Sequence, residues 1–246
     1  MRMSWKLGRI AGIDVFLHPT FFLILLLPGA IENLPLVLSL FACVLAHEYG
    51  HALTARKFGI GTVDITLYPI GGVARLSRMP RAPGAELLIA LAGPAVNFVI
   101  AGWLFLLLGF GPSLGRLSGF LADLAFMNLI LGCFNLIPAF PMDGGRVLRA
   151  LVSGWTGRAR ATSFAAGVGR TLAVGFGVYS LLSLNFIQVA LAMFVYFAAG
   201  AEEAGVLADE RRRAYPNNGD RGVWTAPPGY RWVKAGKGVW QLTPNQ

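Results

Sequence analysis

Residues His47-Glu48-Tyr49-Gly50-His51 combine two neutral nitrogen donors and a carboxylate at a spacing suited to metal-assisted hydrolysis. They close an apolar run that reads as helix, where His47 and His51 are i and i+4 and their imidazoles leave one face. Two nitrogens converging on one point supply half of a tetrahedral zinc site. Glu48, next to the first histidine, can reach a water on that metal without ligating it, which is what a general base needs. The plainer alternative is a pair of histidines hydrogen-bonded between packed helices. The apolar setting weighs against it, because ionisable groups in such surroundings are costly and usually functional.

The elements that must carry this motif are membrane helices. Of the 246 residues 55% are hydrophobic and only 13% charged, beyond what a soluble domain carries. The residues predict an all-α polytopic membrane protein with about six transmembrane helices. The spans run Val15 to Ile31, Leu34 to Ala55, Glu86 to Leu108, Leu117 to Ile137, Ser163 to Leu182 and Phe186 to Ala204. Residues Ser4 to Ile13 read as a membrane-surface segment, with no cleaved signal peptide. Between the second and third spans Val63, Ile65 and Leu67 alternate with polar residues, and a break at Pro69 to Gly72 precedes Val73 to Leu76. That is a small membrane-associated β-hairpin, which must sit at the surface or against protein because an open sheet edge cannot face lipid. Gly93-Pro94 should bend the third span and free a carbonyl. Ala139 to Arg146 holds too much Pro and Gly to be regular. Cys43 and Cys133 lie in apolar runs and read as small buried hydrophobes.

The +9 net charge is distributed as in a membrane protein, and nucleic acid is not an expected partner. Nineteen of the 21 Lys and Arg fall before the first span, after the second, after the fourth or after the sixth, all on one side. By the positive-inside rule both termini are cytoplasmic, and His51 lies toward that face. Residues 1–208 form the membrane-embedded domain, and 209–246 a basic, aromatic-containing cytoplasmic tail. In that tail Arg221-Gly222-Val223-Trp224 is echoed by Lys237-Gly238-Val239-Trp240.

Two histidines need a third protein ligand if water is to keep the fourth position. Candidates are His18, Asp64, Asp123 and Asp143. Asp143 is favoured because topology returns its loop to the side where the second span ends, and its Pro and Gly neighbours let irregular backbone turn a carboxylate inward. Asp123 suits a structural partner, and His18 a hydrogen bond near the interface. Asn97 and Asn135, amides at membrane depth, can orient a substrate carbonyl or equally tie helices together. A transmembrane substrate must unwind to expose a peptide bond, and the hairpin edge can hold the unwound segment as an added strand.

His47 to His51, Gly93-Pro94 with Asn97, and Asn135-Leu136-Ile137-Pro138 followed by Pro141-Met142-Asp143-Gly144-Gly145-Arg146 occur together in this order. In these motifs, over roughly residues 5 to 205, the chain resembles the site-2 protease family of intramembrane zinc metalloproteases. The resemblance implies one zinc ion per chain on His47, His51 and Asp143, with Glu48 as catalytic base and Asn135 near the metal. It also implies membrane-anchored protein substrates, cut within or beside the bilayer to release a soluble fragment. Many relatives carry a PDZ insert or paired C-terminal nucleotide-sensing modules, for which this chain offers no loop and too short a tail. Met142 stands where leucine is commoner, a volume-conserving change. The expected location is the plasma membrane of a prokaryote.

Two other classes use the same residues. In a metal-ion transporter or channel they would line a pathway, and in a catalytically silent scaffold the helices would only capture other helices. Glu48 separates the classes, because removing it should abolish cleavage and leave tightly held zinc.

Overall fold

The computed structural model describes residues 4–69, 71–78, 80–110, 115–214, 229–236 and 239–244. They form two compact units, residues 1–206 and 207–246. The first contains β1 (Trp5–Ile10), β2 (Ile13–Leu17), a 3-10 helix (Pro19–Leu26), α1 (Leu34–Lys57), β3 (Thr62–Tyr68) and β4 (Gly71–Leu76). Helices α2 (Pro83–Phe110), α3 (Arg116–Asn135), α4 (Asp143–Thr156), α5 (Arg158–Leu182) and α6 (Phe186–Ala214) follow.

Among the described residues five helices, α1, α2, α3, α5 and α6, are long and apolar enough to cross a membrane. Their packing is that of a membrane protein. The buried hydrophobic residues are mostly alanines, such as Ala52, Ala55, Ala125, Ala165, Ala166 and Ala199, whereas Trp103, Phe110, Leu182 and Ile187 are largely exposed. Water would drive those large side chains inward. Their exposure suits an apolar surround such as a bilayer, and small residues between helices let the backbones approach.

The expected span at Val15 to Ile31 takes a different form. Its first residues belong to β2, and Pro19 and Pro28 leave room for only a short 3-10 helix between them. The segment still runs back along α1. Leu17 pairs with Leu67, Phe21 packs edge-on against Phe41 with ring centroids 4.6 Å apart, and Leu34 opens α1.

The hairpin expected after the second span is β3–β4, and it belongs to a four-stranded sheet of order β1-β2-β3-β4. Strands β2 and β3 are parallel, so the chain must cross over between them, and the 3-10 helix with α1 makes that crossover. Ile13 and Ile65 close onto Ala52 of α1, with Leu45, Tyr49 and Ala74 around them. Residues Ser4 to Ile13, expected only at the surface, thus supply β1 and the start of β2. Their alternation is broken at Leu7-Gly8, where the register shifts.

Residues 139–146, expected to be irregular, divide at Asp143, where α4 starts. Gly144 and Gly145 permit this start because a Cβ on Gly144 would lie 2.2 Å from the Ile137 carbonyl oxygen, and one on Gly145 2.7 Å from the Phe140 nitrogen. The helix is pressed onto the loop that precedes it.

In the second unit β5 (Tyr230–Gly236) and β6 (Val239–Pro244) form an antiparallel hairpin. Trp232 faces Leu242 across the ladder and Lys234 faces Trp240. Of the four-residue echo, Arg221 to Trp224 and Lys237-Gly238 lie outside the described residues.

Replacing Gly144 with alanine is expected to destabilise the protein by about 1–3 kcal/mol, the usual range for overpacking. Gly154→Ala in the same helix, where a Cβ meets nothing within 4 Å, should be neutral or stabilising by up to ~1 kcal/mol. Thermal unfolding of both variants in detergent checks the contrast.

Candidate metal centre

Helix α1 presents His47 and His51 one turn apart, both buried, and the start of α4 delivers Asp143 between them. His47 Nε2 lies 3.2 Å and His51 Nε2 3.1 Å from Asp143 Oδ2, and the two Nε2 atoms are 3.1 Å apart. The other ring nitrogens are taken. His47 Nδ1 is 2.5 Å from Asn97 Oδ1, and His51 Nδ1 is 2.6 Å from the Ile89 carbonyl oxygen. Both partners are acceptors, so each Nδ1 carries its proton and each neutral ring turns an Nε2 lone pair inward.

Two lone pairs and a carboxylate oxygen therefore meet at one point. Acceptors cannot hydrogen-bond one another, and a single proton would satisfy only one pair of them. A tetrahedral zinc ion satisfies all three, since ligands ~2.0–2.1 Å from the metal are about 3.3 Å from each other. The observed spacings fit that geometry. Burial works against ionisation of Asp143, and the nearby charge of Arg146 favours it.

Helix α2 shapes the rest. A Cβ on Gly93 would sit 2.2 Å from His51 Nε2 and 2.6 Å from His47 Nε2, so glycine is what leaves the site open on that side. Gly50 of α1 is needed for the approach itself, because a Cβ there would lie 2.7 Å from the Ala92 carbonyl oxygen. Pro94 lies inside α2, which continues through it, and weakens the hydrogen-bond ladder of the preceding turn.

Asn97 is fully buried against His47, and its amide nitrogen donates to Asn128 Oδ1 at 2.9 Å. Asn128, buried on α3, in turn donates to the Leu124 carbonyl oxygen. Sequence reasoning missed Asn128. Its signal was a lone amide inside an otherwise apolar stretch of α3. Asn135, at the end of α3, is half-buried and donates to the Leu131 carbonyl oxygen one turn back. Glu48 accepts from the Ala74 backbone N–H of β4 at 3.1 Å, and a Cβ on Gly72 would strike its side chain at 2.6 Å.

The other ligand candidates have different employment. His18 caps the 3-10 helix through Thr20 and stacks on Tyr68. Asp64 is buried in an ion pair with Arg75, and Asp123 is exposed on α3. Among the described residues His47, His51 and Asp143 are the one group of three or more such side chains close enough to share a metal.

The sequence model of peptidase family M50 matches residues 35–114 and 111–176, which carry His47, Glu48, His51, Asn97, Asn128, Asn135 and Asp143. The chain belongs to this family. It is 39% identical to zinc metalloprotease MJ0392 of Methanocaldococcus jannaschii over 94% of its own length and 68% of the relative's. With Rip3 of Mycobacterium tuberculosis it shares 35% identity over 84% of this chain and 55% of that protein, so it spans little more than half of Rip3. The solved site-2 protease from Methanocaldococcus jannaschii superposes with a TM-score of 0.63 at 40% identity, covering 81% of this chain and 95% of that one. The M50 chain described here is accordingly a membrane zinc metalloprotease, with five helices among its described residues long and apolar enough to cross a bilayer.

Because Asn97 fixes the tautomer and direction of His47, Asn97→Ala is expected to weaken zinc binding about 10- to 100-fold. Competition with a chromophoric chelator measures it.

Proposed function

We propose that this chain hydrolyses a peptide bond in or next to a transmembrane segment of a membrane-anchored protein. His47, His51 and Asp143 hold one zinc ion, and Glu48 is the general base. The observation that carries the reading is the meeting of three unprotonated donor atoms beside Glu48 at the depth of apolar helices. Bound zinc would polarise the scissile carbonyl and acidify a water. Glu48 takes the proton from that water and passes it to the leaving amide nitrogen. Its hydrogen bond to Ala74 holds the carboxylate beside β4 until then. Asn97, committed to His47 and Asn128, orients a ligand rather than the substrate. Asn135 stands just ahead of the loop that delivers Asp143 and is the amide left to meet a substrate carbonyl.

The substrate segment is read as an added strand on β4. That strand ends the sheet, and the Ala74 N–H given to Glu48 points away from β3. The outer edge of β4 therefore runs past the general base, and an unwound segment bound there replaces its lost helical hydrogen bonds with ladder bonds. Membership of M50 favours this protease reading over the transporter and the scaffold.

The orientation follows from charge. Arg56 and Lys57 end α1, Arg78 and Arg81 precede α2, and Arg146 and Arg160 lie between α3 and the body of α5. These share one end of an alternating set of helices, which the positive-inside rule makes cytoplasmic. The metal centre, in the second half of α1, lies toward that end. With residues 15–31 running back along α1, both termini are cytoplasmic on this reading.

Glu48→Gln is expected to lose cleavage of a membrane-anchored reporter by at least about 100-fold, the low end for a general base, while keeping one zinc per chain by elemental analysis. Loss of zinc together with activity would instead make Glu48 a ligand. Stripping zinc with a chelator should abolish cleavage by the parent protein, and adding zinc back should restore it.

A further inference from the structure

Among the described residues Arg149 is the largest side chain with no exposed surface. It lies on α4 beyond Asp143 and binds three other elements. Its Nε and Nη2 donate to Glu86 Oε1 of α2 at 2.8 and 2.5 Å, and its Nη1 donates to Glu202 Oε1 of α6 at 2.8 Å. The guanidinium carbon sits 5.0 Å from the centre of the Phe140 ring, in the loop that leads into Asp143. Glu86 is also faced by Arg158 Nη1 at 3.4 Å, and that nitrogen donates to the Pro80 carbonyl oxygen. Two cations and two carboxylates thus balance inside the helix bundle.

A buried ion network of this kind is a weak source of stability, since apolar side chains of the same volume often serve as well. It is a strong source of direction. The planar fork of arginine fixes distance and angle to each carboxylate, which neither lysine nor a hydrocarbon does. What it fixes is specific. Glu86 stands one turn before Ile89, whose carbonyl orients His51. At the other end Phe140 stands three residues before Asp143, in the loop that leads into α4. Arg149 therefore ties α4, which carries Asp143, to α2, whose Ile89 and Asn97 orient the two histidines of α1, and α6 is tied to Arg149 through Glu202.

We infer that Arg149 is a positioning residue for the metal centre. With Glu86 and Glu202 it forms an ion-paired strut that sets Asp143 against His47 and His51, so zinc affinity depends on a network that never touches the metal. The inference rests on the three-ligand reading. It also makes the placement of α6 one of the variables that tune the site.

The test uses the full chain in detergent and reads zinc affinity by chelator competition and ligand geometry from the visible spectrum of the cobalt-substituted protein. Arg149→Gln is expected to weaken zinc about 10- to 100-fold, as loss of an outer partner of a metal site does, and to change the cobalt bands. Arg149→Lys should recover part of the loss. Arg170→Gln is the control, because Arg170 pairs with Glu203 between α5 and α6 and, among the described residues, forms no hydrogen bond or ion pair with a metal ligand. It should lower thermal stability and leave zinc and cobalt spectrum unchanged. A folded Arg149→Gln protein with parental affinity and spectrum overturns the strut, as does an equal loss of zinc in Arg170→Gln. Should Arg149→Gln not fold, Glu202→Gln, which keeps the Glu86 bridge, decides: weaker zinc with altered cobalt bands supports the strut, and parental behaviour overturns it. Failure of the parent to hold zinc would overturn the metal centre itself, an outcome distinct from a loaded parent with unaffected variants.

Discussion

Three electron-pair donors held within 3.2 Å of one another inside an apolar bundle repel unless a cation lies between them. Much of the structure makes that arrangement tolerable. Asn97 and Ile89 hold the Nδ1 protons outward, so that both histidines turn lone pairs toward Asp143. Gly93 removes the atoms that would otherwise occupy the site, and Gly144 and Gly145 let the Asp143 end of α4 press onto its own loop. Each glycine is placed by closeness of approach and not by backbone conformation, since none of the three has a positive φ.

The same economy governs the polar groups farther out. At membrane depth an unpaired donor has no water to turn to, and the buried amides here form a relay from His47 through Asn97 and Asn128 to the Leu124 carbonyl. The ionic groups form a second relay, Arg158 to Glu86 to Arg149 to Glu202. The first joins α1, α2 and α3, and the second joins α2, α4, α5 and α6. Together they tie every long helix to the neighbourhood of the metal ligands, while the alanine-rich contacts between helices supply closeness without direction.

The sheet adds a wall to one side of this arrangement. Its last strand meets Glu48 through a backbone N–H, so the carboxylate next to the ligand helix is bonded to the element whose outer edge is unpaired within the sheet. On the proposed reading, a base in contact with a strand-binding edge suits a substrate that must arrive unwound.

Much of this was legible in the chain itself. The i and i+4 histidines, the five long apolar helices and the β3–β4 alternation follow from local periodicity, and Asp143 could be chosen because helix alternation returns its loop to the ligand side. The first strands were not legible. Residues 15–31 are apolar enough to span, and only the parallel pairing of β2 with β3, set by contacts with a strand far along the chain, makes them something else. Arg149 misled for a related reason. In sequence it is one more positive charge beside a span, whereas its burial between Glu86 and Glu202 depends on α2, α4 and α6 having already packed. Sequence alone determined the chemistry the protein carries, because residue type and local spacing decide which atoms can ligate a metal or move a proton. Tertiary structure alone decided which amides and ion pairs hold those atoms in place, because such partners are chosen by packing between helices and leave no period in the chain.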